Sequence, residues 1–156
     1  MDYSADLYKL THDFIKDYPL SRYPELLCKL ERPFSCLLVD IHLDYYICIP
    51  YRSSINHNDA FLFQGTERSK RSKSGLDYTK IILVKDVRYL DGNNVIVDRD
   101  EYRETMENLS NIVVGAVAYV DDYIAHITGV RKMHPRDFRK KYRYSTLPYF
   151  HDIMGI

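Results

Sequence analysis

The sequence predicts an α+β fold, a compact and highly twisted antiparallel sheet (a partial barrel) flanked by helices. Three observations carry this. At 156 residues the chain is long enough for one apolar core and short for two, so residues 1–156 read as a single domain. Two β-rich runs, Ser35–Ile41 and Tyr45–Pro50, flank a short polar turn at His42–Asp44 and read as a hairpin. The elements run as helices, antiparallel strands and helices again, without the strand–helix alternation of a doubly wound sheet.

In chain order, Ser4–Asp17 places Leu7, Leu10, Phe14 and Tyr18 at three- and four-residue spacing, the mark of an amphipathic helix. Pro24 opens a second short helix carrying Leu26, Leu27 and Leu30, which Glu31-Arg32-Pro33 ends. After the hairpin, strands are expected at Ala60–Phe63 and Thr79–Lys85. A turn at Asp91–Asn94 leads to a short strand at Val95–Val97. Asp98 starts a helix with Glu101 as capping-box partner. The helical region Arg99–Thr128 divides in two near Leu109–Asn111, and Gly129 stops it. Pro135 begins a helix to about Lys141, and Tyr142–Tyr149 reads as a final edge strand.

Composition excludes several classes. Hydrophobic residues at 46% and charged ones at 28% are incompatible with wholesale disorder. The longest apolar run, Ile112–Val120, is too short to span a bilayer, and the acidic start Met1–Asp6 lacks a secretory pattern, so a cytoplasmic protein away from membranes is expected. Cys28, Cys36 and Cys48 have no metal-binding spacing, and the expectation is buried thiols in a reducing compartment.

Net charge is zero, with 22 Lys and Arg against 22 Asp and Glu, but the charges are segregated. Gln64–Gly75 carries Arg68, Lys70, Arg71 and Lys73 against Glu67, and reads as a mobile surface loop. Gly129–Tyr144 carries Arg131, Lys132, Arg136, Arg139, Lys140, Lys141 and Arg143 against Asp137 alone. Asp86–Glu107 has a local charge of −4 and is expected to face away from both basic segments. Basic stripes beside Tyr142, Tyr144 and Tyr149 fit a phosphate backbone with bases stacking nearby; a solvated, salt-bridged helix face is the plainer alternative.

Glycine-rich phosphate loops, zinc-protease motifs and nucleophile elbows are absent. Chemistry is concentrated in the run from Ile49 to His57, which follows a buried strand and offers Tyr51, Arg52, Ser53, Ser54, Asn56 and His57. Cleavage of RNA requires the 2′-hydroxyl to lose a proton, the 5′-oxygen to gain one, and the phosphate oxygens to be held by positive charge. His57 can move protons near neutral pH, Arg52 can hold a phosphate, and Ser53 can add a hydrogen bond. The alternative is a self-capped Ser/Asn turn with His57 on the surface. A second run, Ser74–Lys80, leads from the basic loop into a strand. It offers Ser74 as an RNA contact and Thr79 and Lys80 to the site of Arg52, while Asp77 and Tyr78 read as surface residues at a strand start.

Together these runs resemble the toxins of type III toxin–antitoxin systems, the ToxN, AbiQ, TenpN and CptN class, and are most similar to the CptN branch. The resemblance rests on Pro50-Tyr51-Arg52-Ser53 with His57, and on Gly75-Leu76-Asp77-Tyr78-Thr79-Lys80, and it covers roughly Ser35–Leu90. It implies a metal-independent endoribonuclease without cofactor that leaves 2′,3′-cyclic phosphate ends on cellular RNA. It also implies inhibition by a repetitive, pseudoknot-like antitoxin RNA that the toxin processes and holds in a closed ribonucleoprotein assembly. The best-known branch has Thr-Ser-x-Lys after the proline; here Arg52-Ser53-Ser54-Ile55 lacks that lysine, and Arg52 or Lys80 supplies the charge. The expected roles are therefore Arg52 and Ser53 on the scissile phosphate, His57 as proton carrier, and Lys80 and Tyr51 in support. The two basic segments grip RNA. A non-catalytic RNA-binding module and an adaptor using the acidic segment are the rival readings.

Overall fold

The computed structural model describes residues 1–27 and 34–156. Its centre is the expected hairpin, Ser35–Asp40 (β2) against Tyr46–Arg52 (β3), in the register Leu37↔Ile49 and Leu38↔Cys48. Four consecutive residues in each strand are buried, so both faces of this pair are covered. Cys36 and Cys48 lie here as buried free thiols, and burial pushes the Cys48 thiol well above its ordinary pKa; Cys28 lies outside the described residues.

Outside β2 the sheet continues through Ser4–Leu10 (β1), which the helical spacing had assigned to a helix. Leu7 and Leu10 belong to this strand, and only His12–Asp17 (α1) is helical, with Phe14 stacked on Tyr18 at 4.6 Å. A strand joined directly to a helix thus reproduced the three- and four-residue spacing of a single helix. The switch occurs at Thr11, whose N–H donates to the Tyr89 carbonyl and whose hydroxyl donates to the Arg88 carbonyl. Pro24–Leu26 forms a single 3₁₀ turn, and the rest of the second expected helix falls on residues 28–33, outside those described.

The other edge of β3 is shared by two strands. Ala60–Leu62 (β4) pairs with Gly75–Asp77 (β5), a strand the sequence reading did not include, and β5 pairs with Tyr51 and Arg52. Ile82–Val84 (β6) pairs with Tyr46–Cys48. Between them the ladder skips Ile49–Pro50, a stretch that includes the residue with no N–H to contribute. There the chain makes a 3₁₀ turn at Tyr78–Lys80, so the strand expected over Thr79–Lys85 is only its second half. Leu90–Asp91 (β7) pairs with the end of β1, so the described residues form a seven-stranded sheet of order β4-β5-β3-β2-β1-β7, with β6 beside β3; among them the sheet is not closed. This is the α+β class expected. Val95–Val97, expected as a strand, joins no ladder.

Two helices follow, Arg99–Glu107 (α2) and Leu109–Ile127 (α3), broken at Asn108 beside the expected position. Asp98 makes no side-chain cap, so the capping box is not formed; Glu101 is buried instead. Ile112, Val113, Ala116, Tyr119, Val120 and Tyr123 form the buried stripe of α3. Gly115 lets the Tyr78 hydroxyl reach the Ile112 carbonyl at 3.1 Å, because a Cβ there would collide with that hydroxyl. Gly129 ends the region at φ +80°. Pro135–Tyr142 (α4) is capped by His134 Nδ1, which accepts the Arg136 N–H. Tyr142–Tyr149, expected as a strand, is instead a turn and a 3₁₀ segment leading to His151–Met154 (α5). Among the described residues no helix is long and apolar enough to cross a membrane.

Candidate active site around a buried carboxylate

The two chemistry-bearing runs meet because β3 and β5 are neighbours. Arg52 pairs with Gly75 across the ladder, and beyond the strand end the Ile55 N–H donates to the Lys73 carbonyl at 2.8 Å. Gly75 is required here: a Cβ would overlap the Phe61 carbonyl of β4.

At the focus is Asp77, with 1% of its side chain exposed. It caps the 3₁₀ turn, accepting the Thr79 N–H at 3.0 Å and the Thr79 hydroxyl at 2.7 Å on Oδ1. The same oxygen lies 3.2 Å from His57 Nε2, and Oδ2 accepts Arg52 Nη1 at 3.2 Å. A buried carboxylate with four donors is compensated, so it fixes the Arg52 guanidinium and the His57 ring around it. Sequence reasoning had put Asp77 on the surface. The readable signal was Asp-x-Thr at a strand end, the pattern of a side chain capping the turn that follows.

His57 is held at both nitrogens. Nδ1 accepts the Asp59 N–H at 3.1 Å, which leaves the proton on Nε2, facing Asp77 and, at 3.4 Å, the Thr79 hydroxyl. Asp59 extends the cluster, its carboxyl raised above the usual aspartate range by burial and pulled back by Lys141 and His57. Lys141 Nζ lies 3.9 Å from Asp59 and 3.7 Å from Asp122, a long ion pair with each. Lys141, expected to grip RNA along a stripe, instead reaches Asp59 at the margin of the cluster.

Lys80 does not. Its ammonium donates to Glu25 at 2.7 Å and to the Tyr144 carbonyl at 2.8 Å with 8% of the side chain exposed, so its charge is spent inside the fold. The expectation that Lys80 replaces the missing lysine is corrected: of the two residues expected to supply that charge, Arg52 is the one at the cluster, and Lys141 stands at its margin beside Asp59. Tyr51 also points elsewhere. It stacks on Phe63, and its hydroxyl is 2.8 Å from Thr105 on α2, with burial raising its pKa. Ser53 is exposed beside Arg52. Ser74 is fully buried and out of reach of RNA, and Thr79 is spent on Asp77. Ile55, at the position of the missing lysine, is buried core.

The basic loop, expected to be mobile, is tied to α2 at several points. The Glu104 carboxylate accepts the N–H groups of Gln64 and Gly65 at 2.8 and 2.9 Å, and Asp100 accepts that of Glu67 at 2.8 Å. Arg68 pairs with Asp98 at 3.2 Å and stands 3.8 Å from Glu101, while Lys70 pairs with Glu67. The acidic segment thus faces the loop and anchors it, which corrects its expected placement. Arg71 and Lys73 stay exposed without a carboxylate partner among the described residues.

On α4, Phe138 and Tyr142 turn inward, Phe138 stacking on His126 at 3.8 Å. Arg136, Arg139, Lys140 and Arg143 fall at i, i+3, i+4 and i+7, a single exposed face. None of the four pairs with a carboxylate among the described residues, nor does the exposed Lys132; Arg131 pairs with Asp122 at 2.6 Å. No group of three His, Cys, Asp or Glu able to hold a metal ion occurs among the described residues. The chain matches no family model, and neither the curated proteins nor the solved structures include a match to it.

Proposed function

We propose that this chain is an endoribonuclease toxin of the type III toxin–antitoxin class, cutting RNA by attack of a 2′-hydroxyl on the adjacent phosphorus. One observation carries the reading: Asp77 gathers Arg52 and His57 from one run and Thr79 from the other, with Lys141 at the margin of the cluster beside Asp59. Arg52 keeps donors beyond the one given to Asp77, and with Ser53 and Lys141 it can hold the phosphate oxygens as they become more anionic. The new bond is from the 2′-oxygen to phosphorus, the bond to the 5′-oxygen breaks, and His57 is the group able to carry the proton between them. The cyclic phosphate product and the repetitive antitoxin RNA, processed and held in a closed assembly, come from the resemblance and belong to the same proposal.

A second reading, an RNA-binding module without cleavage, is favoured by one feature. Both nitrogens of His57 are occupied, so cleavage requires the imidazole to turn out of its seat, whereas binding does not. Incubation with mixed RNA in EDTA separates the two. Cleavage predicts new 2′,3′-cyclic phosphate ends that disappear in His57→Ala. RNA retained intact in a salt-dependent complex supports the binding module, and equal cutting by both proteins removes His57 from the mechanism.

A further inference from the structure

Tyr144 is 58% exposed, directly after the cationic face of α4. An exposed tyrosine on loose backbone would mean little, but this backbone is fixed on every side. The Tyr144 carbonyl accepts the buried Lys80 ammonium at 2.8 Å, and Glu25 holds that ammonium from the other side at 2.7 Å. The Ser145 N–H donates to the Tyr142 carbonyl, the Thr146 N–H donates to the Thr79 carbonyl at 3.0 Å, and the Thr146 hydroxyl donates to the Ile81 carbonyl. The ring is therefore presented by a segment bonded to the same turn that carries Thr79, next to Asp77.

Its surroundings are equally specific. Many tyrosines of this chain pack against other rings, such as Tyr119 on Tyr142 at 4.8 Å and Tyr23 on Tyr149 at 5.1 Å. Tyr144 meets no aromatic ring among the described residues; the Arg143 guanidinium lies 5.1 Å from its centroid. A ring open to solvent on an anchored backbone, with a guanidinium over it and free cations along the adjoining helix, matches what an unpaired base and its phosphate need.

We propose that Tyr144 and Arg143 form a stacking subsite for one unpaired nucleobase at the C-terminal end of the α4 cationic face, which restricts the ligand to single-stranded RNA. This rests on the RNA-binding part of the reading above and not on cleavage. Any base offers a π-face, so the subsite discriminates by strandedness, because a duplex keeps its bases stacked on one another. The same arrangement gives Lys80 a purpose: its buried charge holds the platform.

The test uses the full chain and a single-stranded 2′-O-methyl RNA carrying 2-aminopurine at successive positions, which cannot be cut through its blocked 2′ position. Wild type should quench the fluorophore at one position, and unlabelled duplex of the same sequence should compete poorly. Tyr144→Leu should lower affinity about tenfold and abolish that quench while the salt dependence stays unchanged, because stacking releases no counterions. Tyr144→Phe should retain both affinity and quench. Arg139→Ala/Lys140→Ala should do the reverse of Tyr144→Leu, reducing the salt slope by about 1.4 while quench at saturation persists. Wild-type affinity in Tyr144→Leu beside weakened binding in the double variant overturns the subsite alone. Absence of RNA binding by wild type overturns the functional reading and the subsite with it.

Discussion

The loop Gln64–Gly75 and helix α4 are both basic, and by charge alone they are two versions of one feature. The structure separates them. In the loop, Arg68 and Lys70 are paired with carboxylates, and three backbone N–H groups are held by Glu104 and Asp100. On α4, four cations share one exposed face with no carboxylate across from them among the described residues. The difference lies in which neighbours the topology supplies. The loop closes over α2, whose acids stand at the right height, whereas α4 packs through Phe138 and Tyr142 and turns its charge outward. Local charge therefore marks a partner, and the fold decides whether that partner is the protein itself.

The largest test of this contrast removes the free face. Replacing Arg136, Arg139, Lys140 and Arg143 together with Ala should lower the slope of log affinity against log salt by about 3, four contacts at about 0.7 each for a single strand. Affinity near physiological salt should fall by about a hundredfold, on the order of 3 kcal/mol. Filter binding across a salt series measures both, and a slope unchanged from wild type would end the claim that α4 is the grip. On the loop side, Glu104→Ala should cost about 2 kcal/mol in urea unfolding, because one carboxylate accepts two successive N–H groups. Hydrogen exchange at Gly65 should speed up in that variant, whereas a normal exchange rate would mean the loop is held some other way.

How far the sequence revealed this depends on whether the signal was local. The β2–β3 hairpin, the α2–α3 break and the Pro135 helix were legible, since alternation, propensity and proline placement are properties of neighbouring residues. Residues 4–17 were misread because Leu7 and Leu10 on a strand and Phe14 and Tyr18 by a helix reproduce a helical spacing. At the candidate site, Arg52 and His57 could be found because a polar run ends a buried strand. Asp77 and Lys141 could not be placed: whether an acid is buried beneath an arginine and a histidine, or a lysine reaches a distant loop, depends on the β3–β5 pairing and on where α4 lies. Lys80 shows the same limit in reverse. Its position in the motif suggested the site, and a partner 55 residues away, Glu25, took it.

A smaller comparison works inside the loop. Arg68→Ala should lower stability by up to about 1 kcal/mol and leave RNA affinity unchanged, because its guanidinium is engaged by Asp98 and Glu101. Arg71→Ala should leave stability unchanged and reduce the salt slope by about 0.7, since that side chain is exposed and unpaired among the described residues. Thermal unfolding and the same salt series would read both. Interchanged results would show that the loop turns its other side to RNA.

The smallest effect is expected at Glu101, where the sign tells whether burial or the Arg68 attraction dominates at this carboxylate. Burial raises the Glu101 carboxyl above the ordinary glutamate value, Arg68 opposes the rise, and Asp98, Asp100 and Glu104 add to it. The folded state therefore keeps a proton that the unfolded chain has released once pH exceeds about 4.5. Stability from this group is present in full below that value and declines as pH rises through the folded one. Glutamine has the same shape without the ionisation, so the stability of Glu101→Gln relative to wild type should improve from pH 4 to pH 7. At pH 7 it should reach parity or a gain of up to about 1 kcal/mol, a modest figure because desolvation and the Arg68 attraction oppose each other. Urea unfolding at the two pH values measures this. A variant that loses more stability at pH 7 than at pH 4 would mean the Arg68 pair outweighs burial. In that case the attraction between Arg68 and Glu101 more than offsets the cost of burying that carboxylate.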